Sequence, residues 1–219
     1  MKLLLTSNGI TNTYIEREFL HLLKKPAREN KVIFVTTAAF GQENNPIWLE
    51  SYRAKLREYG IIQIEDLDIK GKTEKELRKI LSSSDIIFVN GGNTFYLLRY
   101  IHESGFDKVI PDLLNKGKIY IGVSAGSIIA CPTIETALWE PADKNDVGLK
   151  GFAGLKLINF LISPHFKEEK RESIEKEVSN TRYPTISLTD KQAVLCVDGK
   201  YKIVGEGEKI TFNGFKETL

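Results

Sequence analysis

The stretch Gly122-Val123-Ser124-Ala125-Gly126 has the form G-x-S-x-G. The apolar run Ile119-Tyr120-Ile121 precedes it, and the short apolar segment Ser127-Ile128-Ile129-Ala130 follows it. A serine on such a strand-to-helix turn presents its hydroxyl outward, and glycines two before and two after relieve the crowding of the turn. This is the pattern of a nucleophile elbow, and its chemistry is attack of Ser124 on a carbonyl. The helix N-terminus beyond it would favour the negative charge that develops. Two other readings fit the same residues: a glycine-rich turn that merely reverses the chain, or a loop that holds an anion on its backbone N–H groups.

A serine nucleophile needs a base, and the base needs an orienting group. Of three histidines, His21 lies among Leu20, Leu22 and Leu23, and His102 ends a helical pattern, so both suit packing or surface roles. His165, in Ser163-Pro164-His165-Phe166, directly follows an apolar run. If that run is a strand of a parallel sheet, His165 lies at the carboxyl end, on the same rim as Ser124. Asp190 follows another strand pattern and is the favoured third member, with Glu140 as the fallback. The oxyanion needs two N–H donors. Ala125, after the nucleophile, supplies one, and Gly92 in Asn90-Gly91-Gly92-Asn93-Thr94 is the expected second. The simpler reading of that loop is a strand-to-helix turn with Asn93 or Thr94 as N-cap. No metal or organic cofactor is implied.

The elements that must position these residues follow from periodicity. Leu3 to Thr6, Val32 to Thr36, Ile61 to Ile64, Asp85 to Val89 and Ile119 to Val123 are apolar on both faces, as strands covered by helices on each side must be. Between them Ile15, Phe19, Leu22 and Leu23 form one helical stripe, and Trp48, Tyr52, Leu56 and Tyr59 a second. Thr73 with Glu76 predicts a capping box opening a helix through Leu81, Phe95, Leu98 and Ile101 mark a fourth helix, and Phe106 to Lys116 a fifth. The alternation predicts an α/β fold with a mostly parallel central sheet and helices on both faces. Beyond Ala130 the rhythm changes. Trp139 to Gly154 reads as a long irregular loop, Leu157 to Ile162 as a strand, and Glu168 to Val178 as a charged surface helix. The C-terminal part is β-rich: Thr185 to Leu188, a hairpin of Ala193 to Val197 and Tyr201 to Val204 about Asp198-Gly199, and a last strand Lys209 to Phe212 that closes the edge.

A chain of 219 residues, 42% hydrophobic, can bury one sizeable core, so residues 1–219 are expected to form a single domain. Its 31 basic and 29 acidic residues are well mixed, which points away from nucleic acid and anionic membranes as partners. No run approaches the length of a membrane span. Two cysteines in apolar surroundings, without C-x-x-C spacing, suit a reducing compartment, and a cytoplasmic location is expected.

Taken together, Asn90-Gly91-Gly92-Asn93-Thr94-Phe95-Tyr96-Leu97-Leu98, Val123-Ser124-Ala125-Gly126-Ser127 continuing through Ala130-Cys131-Pro132-Thr133-Ile134, and Pro164-His165-Phe166 resemble the peptidase E family of aspartyl dipeptidases, to which cyanophycinase is related. The resemblance implies a fold similar to class I glutamine amidotransferases, with serine in place of cysteine, and serine peptidase activity on short peptides. It assigns Ser124 as nucleophile, His165 as base, and Gly92 and Ala125 as oxyanion donors. The family's triad acid is usually glutamate, where this chain offers Asp190. Arg171 could pair with a substrate aspartate, or belong with its neighbouring glutamates to a solvated helix face. An amidase using the same nucleophile and a non-catalytic anion-binding protein are the alternatives.

Overall fold

The computed structural model describes residues 1–42 and 46–219. In chain order the strands are β1 (Lys2–Thr6), β2 (Lys31–Val35), β3 (Gln63–Leu67), β4 (Ile86–Val89), β5 (Ile119–Val123), β6 (Leu161–Ser163), β7 (Thr185–Ser187), β8 (Gln192–Val197), β9 (Lys200–Gly205) and β10 (Ile210–Phe212). The helices are α1 (Thr13–Leu22), α2 (Thr37–Phe40), α3 (Leu49–Glu58), α4 (Glu74–Ser82), α5 (Thr94–Ser104), α6 (Phe106–Asn115), α7 (Ala125–Ile128) and α8 (Arg171–Val178).

Seven strands form the central sheet in the order β3-β2-β4-β5-β1-β8-β9. The first five in this order are mutually parallel, and β8 and β9 extend the sheet antiparallel beyond β1. Alternate residues of each strand face opposite sides, which splits the core in two. Leu3, Leu5, Ile33, Val35, Ile87 and Val89 pack with Leu77, Leu81, Phe95 and Leu98 of α4 and α5, whereas Leu4, Val32, Phe34, Ile86 and Phe88 pack with Ile15, Phe19, Leu49 and Leu56 of α1 and α3. Double coverage is why β4 and β5 are buried throughout. The capping box at Thr73 and Glu76 opens α4 as the sequence predicts, and the hairpin turn carries positive φ at both Asp198 (49°) and Gly199 (81°), as a type I′ turn requires.

Four expectations are corrected. The third strand runs Gln63–Leu67 rather than Ile61 to Ile64, because the Ile61 N–H donates to the Leu56 carbonyl at the end of α3 and its side chain is buried there. Leu157 to Ile162 is strand only from Leu161, and β6 does not join the sheet that carries the elbow. It pairs parallel with β7 in a separate sheet of order β10-β7-β6, where β10 lies antiparallel to β7. The last strand therefore does not close the central sheet, whose edge is β9. A three-residue strand buried on both faces carries no periodicity that names its partner. Finally, the charged helix begins as a 3-10 turn, Glu168–Lys170, before α8 buries Ile174 and Val178. Among the described residues no helix is long and apolar enough to cross a membrane. Cys131 and Cys196 are free and buried.

Candidate active site

Ser124 follows β5 at φ 47° and ψ −108°, a backbone conformation that costs a non-glycine residue on the order of 1–3 kcal/mol. Its neighbours fix it there. The Ser124 N–H donates to the Thr6 carbonyl (3.0 Å), the Ser127 hydroxyl donates to the same carbonyl (2.8 Å), and the buried Tyr120 hydroxyl donates to the Gly126 carbonyl (2.7 Å). Gly126 packs so tightly on β4 that an added Cβ would lie 2.1 Å from the Val89 carbonyl oxygen. The second glycine of the motif thus lets α7 touch the end of β4. The helix that follows, α7, is a single turn, so the expected helix dipole reduces to the local N–H of Ala125.

Register places the other glycine loop beside the elbow. Val89 pairs with Gly122, so the chain leaving β4 runs directly past Ser124, and a Cβ on Gly91 would sit 3.3 Å from the Ser124 Cβ. Gly92 has φ 131°, and a Cβ there would lie 2.2 Å from the Ala38 carbonyl carbon and oxygen in α2. Only glycine fits both the dihedral and the space. Asn93 does cap α5, accepting from the Tyr96 N–H at 2.8 Å, as the strand-to-helix turn reading of the loop expects. Among the described residues the N–H groups of Gly92 and Ala125 have no protein acceptor.

His165 follows β6 and reaches Ser124 from the small sheet. Its Nε2 lies 2.9 Å from the Ser124 Oγ, and its Nδ1 lies 2.6 Å from Asp190 Oδ1. An ionised carboxylate on Nδ1 keeps the ring proton there and leaves Nε2 free to accept the serine proton. The hydrogen bond to His165 holds the Asp190 carboxyl below the ordinary carboxylate value, against the opposing effect of partial burial. The Ser7 hydroxyl and the charge of Lys167 act in the same direction. The position of His165, itself at φ 59°, is fixed by its main chain: its N–H donates to Ser7 Oγ (2.8 Å), and the next N–H, of Phe166, donates to the Leu188 carbonyl (2.9 Å).

Ser124, His165 and Asp190 are thus brought together, and Glu140 is not hydrogen-bonded to His165. His21 and His102 lie on the surface near Glu18 and Asp107. Arg171 is not brought to the cleft: its guanidinium pairs with Glu168 (2.6 and 3.1 Å) and with Glu208 (3.6 Å) and covers the Phe166 ring. Ser7 was not singled out from the sequence. Its hydroxyl donates to Asp190 Oδ1 (2.9 Å) while accepting from the His165 N–H, so one side chain joins His165 and Asp190. The available signal was its place: it is the first residue past β1, and Thr6 pairs with Val123 one residue before Ser124.

A cleft of about 400 Å³ opens over Ser124 and His165. The segment after Trp139 forms one wall, and Trp48 and Tyr52 contribute to the lining. The wall is tied to the loop that carries Gly92, since Asp143 accepts from the Thr94 N–H (2.8 Å) and Asn93 Nδ2 donates to the Lys144 carbonyl (2.8 Å). Burial, with the charge of Asp190 adding to it, pushes the Tyr52 phenol up to about 12, so it stays protonated as it donates to Asn8 Oδ1 (2.9 Å). Among the described residues no group of three or more His, Cys, Asp and Glu is placed to hold a metal ion.

Comparison with known proteins bears on this geometry. The model of peptidase family S51 matches residues 3–204. An uncharacterized peptidase of Listeria monocytogenes is 33% identical over 147 residues, covering 67% of this chain and 71% of that protein. Peptidase E of Escherichia coli is 35% identical over 141 residues, covering 64% of this chain but 56% of the relative. Among solved structures, a putative peptidase E protein from Listeria monocytogenes superposes with a TM-score of 0.79 at 26% identity, covering 94% of this chain and 98% of the other.

Proposed function

Because this chain belongs to peptidase family S51, the peptidase E family, and is a serine-type peptidase, we propose that it hydrolyses short peptides through Ser124, His165 and Asp190. His165 Nε2 takes the proton of Ser124 as the Oγ attacks the scissile carbonyl. Asp190 holds the imidazole tautomer and stabilises the imidazolium. The N–H groups of Gly92 and Ala125 receive the oxyanion, each such donor being worth about 3–4 kcal/mol in acyl transfer. Imidazolium then protonates the leaving amine, and water, deprotonated by His165, releases the acyl group and restores Ser124.

The observation that carries this reading is the unbroken line of contacts from Asp190 through His165 to Ser124, 2.6 and 2.9 Å long. The cleft has the volume of a site for a small ligand rather than a groove for a long chain, which supports dipeptides and other short peptides as substrates. The N-terminal aspartate that the resemblance implies finds no Lys or Arg among the described lining residues, and Arg171 is engaged elsewhere. Incubation with a panel of di- and tripeptides tests the reading. Release of free amino acids by the wild type, and its loss in Ser124→Ala, is the expected result; release of ammonia without peptide cleavage would instead identify an amidase.

A further inference from the structure

The cleft over Ser124 is acidic and aromatic where an aspartyl-specific site would be basic. Its described lining contains two carboxylates, Glu140 and Asp143, and no lysine or arginine. The nearby basic residues Lys144 and Lys167 are outside the lining, although Lys167 is close enough to Asp190 to lower its pKa. The two acids differ in what they do. Asp143 is committed to the wall, its side chain accepting from the Thr94 N–H and its own N–H donating to the Ala137 carbonyl (both 2.8 Å). Glu140 is exposed and, among the described residues, its carboxylate makes no ion pair.

Trp48, Tyr52 and Trp139 line the same cleft. Indole and phenol faces attract cations, and their apolar surface covers the methylene stem of a lysine or arginine. A substrate aspartate would bring a third carboxylate into a space already holding two, at a Coulombic cost that a partly desolvated cleft does not screen well. The same field favours a guanidinium or ammonium group, and a planar guanidinium can engage the Glu140 carboxylate with two parallel hydrogen bonds.

From these features we infer that the site selects short peptides carrying an arginine or lysine side chain next to the scissile bond, with Glu140 as the specificity-determining residue. The inference rests on the serine-peptidase reading of the cleft and adds a substrate class to it. It is tested with the full chain and three dipeptide series, Arg-Xaa, Leu-Xaa and Asp-Xaa, sharing the same second residue. The wild type is expected to give the order Arg above Leu above Asp in kcat/KM. Glu140→Gln should lower the Arg-to-Leu ratio about tenfold, the scale of one charge-assisted contact, and Glu140→Lys should invert the Arg-to-Asp ratio. Ratios within one variant cancel any general loss from altered folding. A wild type that cleaves Asp-Xaa faster than Arg-Xaa, or ratios that do not respond to Glu140, overturn the inference while Ser124-dependent cleavage leaves the peptidase reading standing. Absence of Ser124-dependent cleavage of every peptide overturns both.

Discussion

Ser124 and His165 meet across 2.9 Å, yet they stand on two sheets that hold them by different means. The central sheet fixes Ser124 through its backbone. β5 lies between β4 and β1, the strained Ser124 peptide is bonded to Thr6, and Gly126 rests on the Val89 carbonyl with no room for a methyl group. On the other side His165 and Asp190 are held by a mixture of main-chain and side-chain hydrogen bonds. They leave the adjacent strands β6 and β7; the Ser7 hydroxyl at the end of β1 bonds to both, Thr11 Oγ1 donates to the Asp190 carbonyl (2.9 Å), and the chain enters β8 of the central sheet at Gln192. Backbone packing fails all at once, because close-packed main chain has nowhere to move. Side-chain hydrogen bonds fail by degrees, because each contributes a bounded amount.

Substitutions on the two sides should therefore behave differently. Gly126→Ala is expected to have the largest effect, since the new methyl group must displace the Val89 backbone. A stability loss of about 3 kcal/mol or more is anticipated, read as a fall in the denaturation midpoint, with activity lost along with the elbow. An alanine variant that keeps both stability and activity would break the contrast. On the other side, Asp190→Asn should leave the fold in place and lower kcat about 10³–10⁴-fold, the scale expected when the tautomer-setting acid is removed. The same variant sharpens the comparison through pH. Asp190 titrates below its ordinary value of 3.8 in the folded protein, so the stability it adds is complete above that value and is lost as the pH falls through the lowered one. The difference in Tm between wild type and Asp190→Asn should accordingly be constant near neutrality and shrink below about pH 4.

Ser7→Ala should have the smallest effect of the three. Losing one hydrogen bond to a carboxylate and one to a backbone N–H is expected to reduce kcat about tenfold with KM little changed, and Ser7→Thr, which keeps the hydroxyl, should recover part of it. A fall in KM-determined binding with kcat intact would remove Ser7 from the positioning role.

The contrast also explains what could be read from the chain. The parallel strands, the capping box at Thr73, the elbow and the Asp198-Gly199 hairpin are local patterns, written in residues a few positions apart. The turn from Asn90 to Thr94 was legible because a Gly-Gly pair after an apolar run, followed by Asn93 as N-cap, limits what the backbone can be doing. The second sheet was not, because β6 and β7 lie 24 positions apart in register and are three-residue strands buried on both faces, with no periodicity to name a partner. Ser7 was hidden for a similar reason: its partners, His165 and Asp190, lie 158 and 183 positions away, and at its own place in the chain it is one of several small polar residues in a turn. Arg171 shows the converse. Its residue type invited a substrate contact, but Glu168 three residues earlier and Glu208 from the far end of the chain neutralise it.

The central claim is that the backbone of the large sheet presents Ser124 as a nucleophile activated from the small one. Reaction with a fluorophosphonate probe, followed by mass spectrometry of the digested protein, addresses it directly. One equivalent of probe on the peptide containing Ser124 in the wild type, no label in Ser124→Ala, and slowed labelling in Asp190→Asn are the results expected. A wild type that cleaves peptides yet takes no label, or a Ser124→Ala protein that is labelled as fast as the wild type, would contradict it.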